Sequence, residues 1–449
     1  MRAPEAVLPG GTGGVCRARS IVAAAVVLGL ALRVAFAFGY WVGKPLTHDE
    51  TEYLHLARNV AQGRGFTYGH TSPADGTSPQ FGRAPLYPAF LAAVLRVSGT
   101  SRGDNEAPGP SELNAIKAAQ AILGAIVIWL IAVLAGRAAG PAAMAMAAVV
   151  AALYPPLAWI GAYVLSETLF MVFALSAVAI LGLVVDANAS TSTRSQRTED
   201  LIVFTAGLVA GLATLTRPFM LLFLLVAAVW LLLRRRLRTL AALAVGAMVV
   251  VLPWTARNVQ ATGHFVLVAS EGGVTFWTGN NALSRGEGDL AANPEMKKAE
   301  IDLRRQHPGW TAEQLEPVYY REGFGYIRSH PLGWAWLLAR KFFYLWVPIG
   351  PSYRLHSARY FYASVVSYGL LLALALAGFV RLRERDRQPR ALWMLAVSAV
   401  VACLVFFPQE RFRIPVVDPT LVVCAGAWLG SLAGVRHVFS IQSRLQGPG

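Results

Sequence analysis

Apolar runs of near-membrane length recur along this chain, separated by short polar or basic stretches. The first covers residues 20–42, and others follow at 113–135, 141–159, 163–185, 201–217, 218–233, 239–254, 360–380, 391–407 and 415–432. A helix rises about 1.5 Å per residue, so runs of this size suit a hydrocarbon layer roughly 30 Å thick. Two apolar stretches break the pattern. Residues 84–97 are short and carry Pro85 and Pro88, which predicts a helix lying along the membrane surface. Residues 331–348 are apolar, but letting them cross would strand Arg381, Arg383, Arg385, Arg387 and Arg390 on the outer side. A re-entrant or interfacial helix is expected there instead.

Residues 43–66, GKPLTHDETEYLHLARNVAQGRGF, separate the first run from the short one. Tyr53, Leu56, Ala57 and Val60 recur at helical spacing as one apolar stripe, with Thr51, His55, Arg58 and Gln62 turned the other way. Such a helix lies on the bilayer surface, with Asp49 at its start aimed into a cleft. A Gly/Ser/Pro-rich stretch, 63–80, and an acidic, Pro-rich loop, 101–112, look external. The largest polar segment, 258–330, has helical patterns at 297–305 and 312–328 and is too short for an independent enzyme domain.

Composition fixes the class. Of 449 residues, 55% are hydrophobic and only 14% charged, and mean hydropathy is +0.48, which implies an all-α polytopic membrane protein. The formal charge of +15 and pI near 10.1 raise the question of nucleic acid. The basic residues sit in short loops between apolar runs, however, so they report topology rather than a nucleic-acid partner. Arg17 and Arg19, Arg194 and Arg197, the cluster at 234–238 and the Arg residues at 381–390 mark the cytoplasmic side. About ten crossings result, with both ends cytoplasmic. The first run is long for a signal peptide and holds Arg33, so it reads as an uncleaved first helix despite the small residues of Ala35-Phe36-Ala37. Cys16, Cys403 and Cys424 have neither disulfide-framework nor zinc spacing.

Three units follow: a seven-span module at 1–257 that includes the loop 43–112, an exterior segment at 258–358, and a three-span module with a short tail at 359–449. Asp49, Glu50, Arg58, Arg83, Ser166, Glu167, Arg257, Glu410, Arg411 and Arg413 all fall on the exterior face. Arg placed there runs against the topological bias and calls for a ligand. An anionic headgroup would account for several Arg at once, since guanidinium forks match phosphate oxygens.

Asp49-Glu50 with Tyr53, Ala57-Arg58, Gly63 and Gly65, then GRAPLYP, TGNN after PWTARN, and the closing ERFRIP resemble the membrane glycosyltransferases of the GT-C superfamily. The likeness covers most of the membrane chain and is nearest to the family 39 type, which includes the aminoarabinose transferase of lipid A and the protein O-mannosyltransferases. It implies an enzyme of the cytoplasmic membrane with its active site facing the exterior. The donor is a polyprenyl-phosphate sugar, and the acceptor an envelope lipid, polysaccharide or protein. Asp49 matches the family's catalytic carboxylate, with Glu50 beside it. Arg58 and Arg83 match phosphate-contacting positions, and Arg257, Arg411 and Arg413 are further candidates. The leaving group is already a phosphate, so the chemistry needs a base and positive charge but no general acid.

Each of these residues also has a plain structural role. Asp49 with Glu52, or Thr47 with Glu50, makes a capping box, and Glu50 suits the cap. Arg58 could snorkel to lipid headgroups, and Arg257 beside Trp254 could anchor a membrane boundary. Ser166 and Glu167 suit the first turn of a helix as well as a substrate contact. Trp277 and Asn280 could stack on and bond a sugar, or simply pack an exterior loop. His48 and His55 lack a third ligand, so no metal or other cofactor is expected, although a divalent ion stays open. There is no Asp-x-Asp nucleotide-sugar motif, no Trp-Trp-Asp oligosaccharyltransferase signature, and no soluble domain after the last run. A lipid or glycolipid flippase and a non-catalytic assembly subunit are the rival classes.

Overall fold

The computed structural model describes residues 12–41, 43–67, 82–100, 107–187, 194–288, 293–349, 357–385 and 388–445. The chain begins with α1 (Thr12–Ala35), which ends in a π-helical turn at Phe36–Tyr40. Then come α2 (His48–Ala61), α3 (Leu86–Ser98), α4 (Pro110–Ala139), α5 (Pro141–Leu153), α6 (Pro155–Trp159), α7 (Glu167–Val185), α8 (Gln196–Thr216), α9 (Met220–Leu233) and α10 (Leu237–Thr262). The remainder comprises α11 (Gly272–Gly279), α12 (Pro294–Arg305), α13 (Ala312–Ser329), α14 (Pro331–Trp346), α15 (Ala358–Arg383), α16 (Arg390–Val405), α17 (Glu410–Arg413) and α18 (Val417–Leu445). No strand occurs among the described residues.

Each apolar run expected to cross has its helix. Among the described residues, six helices are long and apolar enough to span a membrane, and the bent pair α5–α6 would make a seventh. The apolar helices α9 and α16 are shorter, with 14 and 16 residues. The chain is thus a multi-pass membrane protein. The helix α10 corrects one boundary: it continues past Trp254 to Thr262, so Arg257 lies inside a helix rather than just after one. Residues 331–346 form α14, a helix of 16 residues.

The break between α5 and α6 follows from Pro155-Pro156. A proline pushes the residue before it towards extended backbone, and Tyr154 has φ −72° and ψ 112°, giving a bend of 66°. Arg33 is buried against this break and donates to the carbonyls of Leu157, at 2.9 Å, and Gly29, at 3.0 Å.

Small residues set the packing. Gly207 of α8 abuts Leu243 and Gly246 of α10, and Gly211 abuts Ala247 and Val250, so these two helices run parallel. A Cβ on Gly207 would sit 2.3 Å from the Leu243 carbonyl, which is why glycine stands there. By the same reading α1 and α4 are antiparallel, with Gly29 against Ile128 and Gly124 against Arg33. So are α5 and α18, with Gly426 near Ala147 and Gly430 near Ala143.

These directions bring the starts of α4, α7, α15 and α18 to one end of the bundle, together with the finishes of α1, α8, α10 and α16. The other end carries Arg137 on the Ala179 carbonyl, Arg390 on the Val185 carbonyl and Asp186 on the Ala391 amide. At the first end, α2 and α3 pack through Tyr53, Leu54, Ala57, Tyr87, Leu91 and Leu95 onto Ile116 of α4 and onto Val164, Leu165 and Leu169. The expected apolar stripe of α2 does face inward, but the buried face is wider. Arg58, expected on the outward side, is fully buried.

Candidate active site

The start of α2 decides what Asp49 can do. Thr47 caps the helix: its hydroxyl accepts from the Glu50 amide at 3.4 Å, and Glu50 reaches back to the Thr47 amide at 2.8 Å. The second Glu50 oxygen accepts from the Val164 amide at 2.7 Å. Both oxygens of Glu50 therefore serve backbone amides, while Asp49 points elsewhere. Asp49 sits in the first helical turn, where the helix dipole favours a carboxylate.

Asp49 is bridged by two guanidiniums. Its Oδ1 meets Arg83 Nη2 at 2.8 Å, and its Oδ2 meets Arg411 Nη1 at 2.6 Å. Arg83 comes from the turn into α3 and Arg411 from α17. Arg83 also binds Glu52, one turn along α2, and Glu271 at 3.0 Å, and its guanidinium lies 5.3 Å from the Tyr53 ring centre. Arg411 reaches Glu167 Oε1 at 3.1 Å, and that oxygen also takes Arg217 Nη1 at 2.7 Å. Arg217 further donates to Ser166 Oγ at 3.1 Å, which Tyr53 OH approaches at 3.4 Å. The second oxygen of Glu167 is buried without a hydrogen-bond partner among the described residues.

The electrostatics follow from this geometry. Burial alone would raise the Asp49 carboxyl, but Arg411 and Arg83 overcome it and hold the group far below the usual carboxylate range. Burial likewise disfavours the charged forms of Arg83 and Arg411, and the surrounding carboxylates more than restore them. Glu271 goes the other way. Burial first, then the charges of Asp49 and Glu52, push it up to about 7 although Arg83 opposes this. Four carboxylates, Asp49, Glu52, Glu167 and Glu271, face the three guanidiniums, and Glu271 is the one of the four whose carboxyl is raised.

Asp49, Arg83, Arg411, Glu167 and Ser166 are therefore brought together as the sequence suggests. The other candidates are not. Arg58 makes a two-pronged pair with Glu112 of α4, at 2.9 and 2.6 Å, with both side chains 0% exposed. Removing it to grip a phosphate would leave Glu112 buried and uncompensated, a cost of about 3–5 kcal/mol. Arg413 is buried against Asp418 at 3.1 Å and over the Tyr368 ring at 3.6 Å, while Tyr154 donates to the same Asp418. Arg413 lies on the same short helix that presents Arg411. Trp277 packs with Met296, Leu315 and Tyr319. Asn280 is engaged by Trp334 and Lys341 and donates to the Phe276 and Val405 carbonyls, so it stitches α11, α14 and α16 together. Arg257 lies outside the cluster, over Trp254.

Glu52, Arg217 and Glu271 belong to the cluster without having been picked out as ligands from the sequence. Glu52 stands three residues after Asp49, where it reads as a capping partner. Arg217 ends an apolar run and suits a local pair. Glu271 precedes the two glycines that open α11 and offers no spacing signal. Among the described residues, no three His, Cys, Asp or Glu side chains converge in the manner of metal ligands.

A helical bundle with an ion-pair cluster at one end, under a surface helix, defines the class: a polytopic membrane protein with a charged site at the margin of its apolar layer. The solved structures give the fold more narrowly. The archaeal oligosaccharyltransferase of Archaeoglobus fulgidus, in complex with an inhibitory peptide and a dolichol-phosphate, is similar over 96% of this chain and 52% of its own, with a TM-score of 0.57 and 14% identity. Its apo form matches over the same shares with a TM-score of 0.54 and 16% identity. The chain spans about half the length of these structures, and the likeness is one of fold, which is GT-C-like. No family model matches the sequence, and no curated protein matches it.

Proposed function

We propose that this protein transfers a single sugar, in the manner of family 39, from a polyprenyl-phosphate donor to an envelope acceptor at the outer face of the cytoplasmic membrane. The observation that carries this reading is the clamp of Arg83 and Arg411 on Asp49. A carboxylate held so far below its usual range is a weak base. An incoming phosphate competes for the same two guanidiniums, and each one that moves to it returns basicity to Asp49. The acceptor hydroxyl then gives its proton to Asp49 as its oxygen bonds to the anomeric carbon. The bond from that carbon to the phosphate oxygen breaks, and the phosphate keeps the electron pair beside Arg411 and Arg83. Attack from the face opposite the leaving group inverts the anomeric carbon.

Three further observations support the reading. The fold is similar to part of an oligosaccharyltransferase whose structure holds a dolichol-phosphate. Arg137, Arg234, Arg235, Arg236, Arg385 and Arg390 lie at the end opposite Asp49, which by the charge rule favours an exterior Asp49. Polar groups gather at that end rather than at mid-depth, where transporters concentrate theirs. The test is mass spectrometry of polyprenyl-phosphate sugars and envelope glycans from a strain lacking the protein. A donor should accumulate and one glycan should lose a single sugar, with rescue by the wild type and none by Asp49→Asn. Full rescue by Asp49→Asn would sink the mechanism.

A further inference from the structure

Beside the Asp49 cluster, the same end of the bundle holds a cleft of about 690 Å³. Arg83 lines it, so one side chain touches both the cleft and the carboxylate proposed as base. Its walls also carry Phe66, Trp254, Arg257, His307 and Trp310. A volume in the range of small-ligand sites admits the end of an oligosaccharide and excludes a folded domain.

Two features give the cleft its chemistry. Arg257 lies against two rings, with its guanidinium carbon 4.8 Å from the Trp254 ring centre and 5.7 Å from that of Phe66. Its hydrogen bonds go to neutral oxygens, the Phe66 carbonyl at 3.1 Å and Asn258 Oδ1 at 3.3 Å. Among the described residues no carboxylate pairs with it, whereas Arg83, Arg304 and Arg305 on the same walls face Glu271, Glu300 and Asp302. The second feature is Trp310, 42% exposed and tilted over His307 with ring centres 4.4 Å apart, which offers a sugar ring an aromatic face.

We infer that this cleft binds the acceptor, and that the acceptor is an anionic glycan whose sugar rests on Trp310 and whose acidic group meets Arg257. A planar guanidinium already braced by rings loses little freedom on binding and matches a carboxylate or phosphate with two donors. The role as acceptor site rests on the transferase reading above. The binding itself does not.

Calorimetry on the full-length protein in detergent separates the two. Oligogalacturonate and its fully methyl-esterified form of equal length differ in the charge of their carboxyl groups, and undecaprenyl phosphate probes the donor site. Oligogalacturonate should bind and the neutral chain bind at least about 10-fold more weakly, with Arg257→Gln abolishing most of that preference. Trp310→Ala, at an exposed position, should weaken oligogalacturonate without lowering the melting temperature. Neither variant should change undecaprenyl phosphate binding. Equal binding of the two oligosaccharides, or no binding of either, overturns the inference. So does an Arg257→Gln variant that loses undecaprenyl phosphate, because the cleft would then serve the donor. Loss of undecaprenyl phosphate binding in the wild type, with oligogalacturonate binding intact, would count against the transferase reading alone.

Discussion

Arg411 and Asp49 stand 362 positions apart in the chain and meet at 2.6 Å. The contact closes a circuit between the surface helix after the first span and the four-residue helix before the last one. It has two consequences of opposite sign for chemistry. It places the carboxylate and fixes its orientation, and it also holds the carboxyl far below its usual range, which lowers its basicity.

The first prediction concerns Asp49 itself. Asp49→Asn keeps the shape, loses the base and releases both guanidiniums. Transfer should fall by about 10²- to 10⁴-fold, the usual contribution of a positioned base. Binding of donor should be unchanged or tighter. A single-turnover assay with the donor identified by mass spectrometry would read both quantities.

Arg58 and Glu112 test whether burial or phosphate explains that arginine. Either Arg58→Gln or Glu112→Gln alone should destabilise the protein by about 3–5 kcal/mol, because each leaves a buried charge without its partner. The double change Arg58→Met with Glu112→Leu should recover most of the loss and leave donor binding intact. Thermal unfolding in detergent gives the first result and donor titration the second. A double variant that is stable yet cannot bind donor would return Arg58 to the site.

Glu271 predicts a pH dependence. Its carboxyl is raised in the folded protein to about 7, so the stability it contributes is full below its unfolded value, near 4.3 by the usual reference, and is lost as pH rises through about 7. Asp49 works in the opposite sense, since its depressed carboxyl contributes stability above its unfolded value that disappears on acidification. Melting temperature should therefore decline between about pH 5 and pH 8, and Glu271→Gln should flatten that decline. Glu271 keeps 31% of its side chain exposed, so solvent screening trims the effect. An unchanged slope in the variant would assign the titration elsewhere.

Gly207 tests the helix packing that aligns α8 with α10. A Cβ there would meet the Leu243 carbonyl and the Gly246 Cα, both backbone atoms that cannot rotate away. Gly207→Ala should cost roughly 1–3 kcal/mol. Gly39, where a Cβ would meet nothing within 4 Å, should accept the same change within about 0.5 kcal/mol. Unfolding of the two variants side by side decides the matter.

Much of this architecture can be read from the chain because the bilayer imposes a simple rule: apolar runs become helices, and basic loops stay on one side. Asp49 stands out for a local reason, since Thr47 and Glu50 complete a capping box and leave the Asp49 side chain out of the cap. Arg58 misleads because helical spacing alone sets it opposite the apolar stripe. Its partner Glu112 lies 54 positions away, beyond any local pattern. The last turns of α10 are hidden for a similar reason, as Arg257, Asn258 and Gln260 look like loop until the 264–271 segment folds back on them. Trp254, Thr255 and Asn258 donate to the carbonyls of Val268, Leu267 and Val266. Glu271 has no sequence signal at all; only the three-dimensional meeting with Arg83 reveals it.

The most direct measurement is the affinity of the purified protein for undecaprenyl phosphate in wild-type, Arg411→Gln, Arg83→Gln and Asp49→Asn forms. Loss of one charge-assisted phosphate contact is worth about 1.5–3 kcal/mol, so either Arg variant should bind roughly 10- to 100-fold more weakly, while Asn at position 49 should bind at least as tightly as the wild type. If both Arg variants bind as the wild type does, the clamp on Asp49 is not a phosphate site and the account is contradicted.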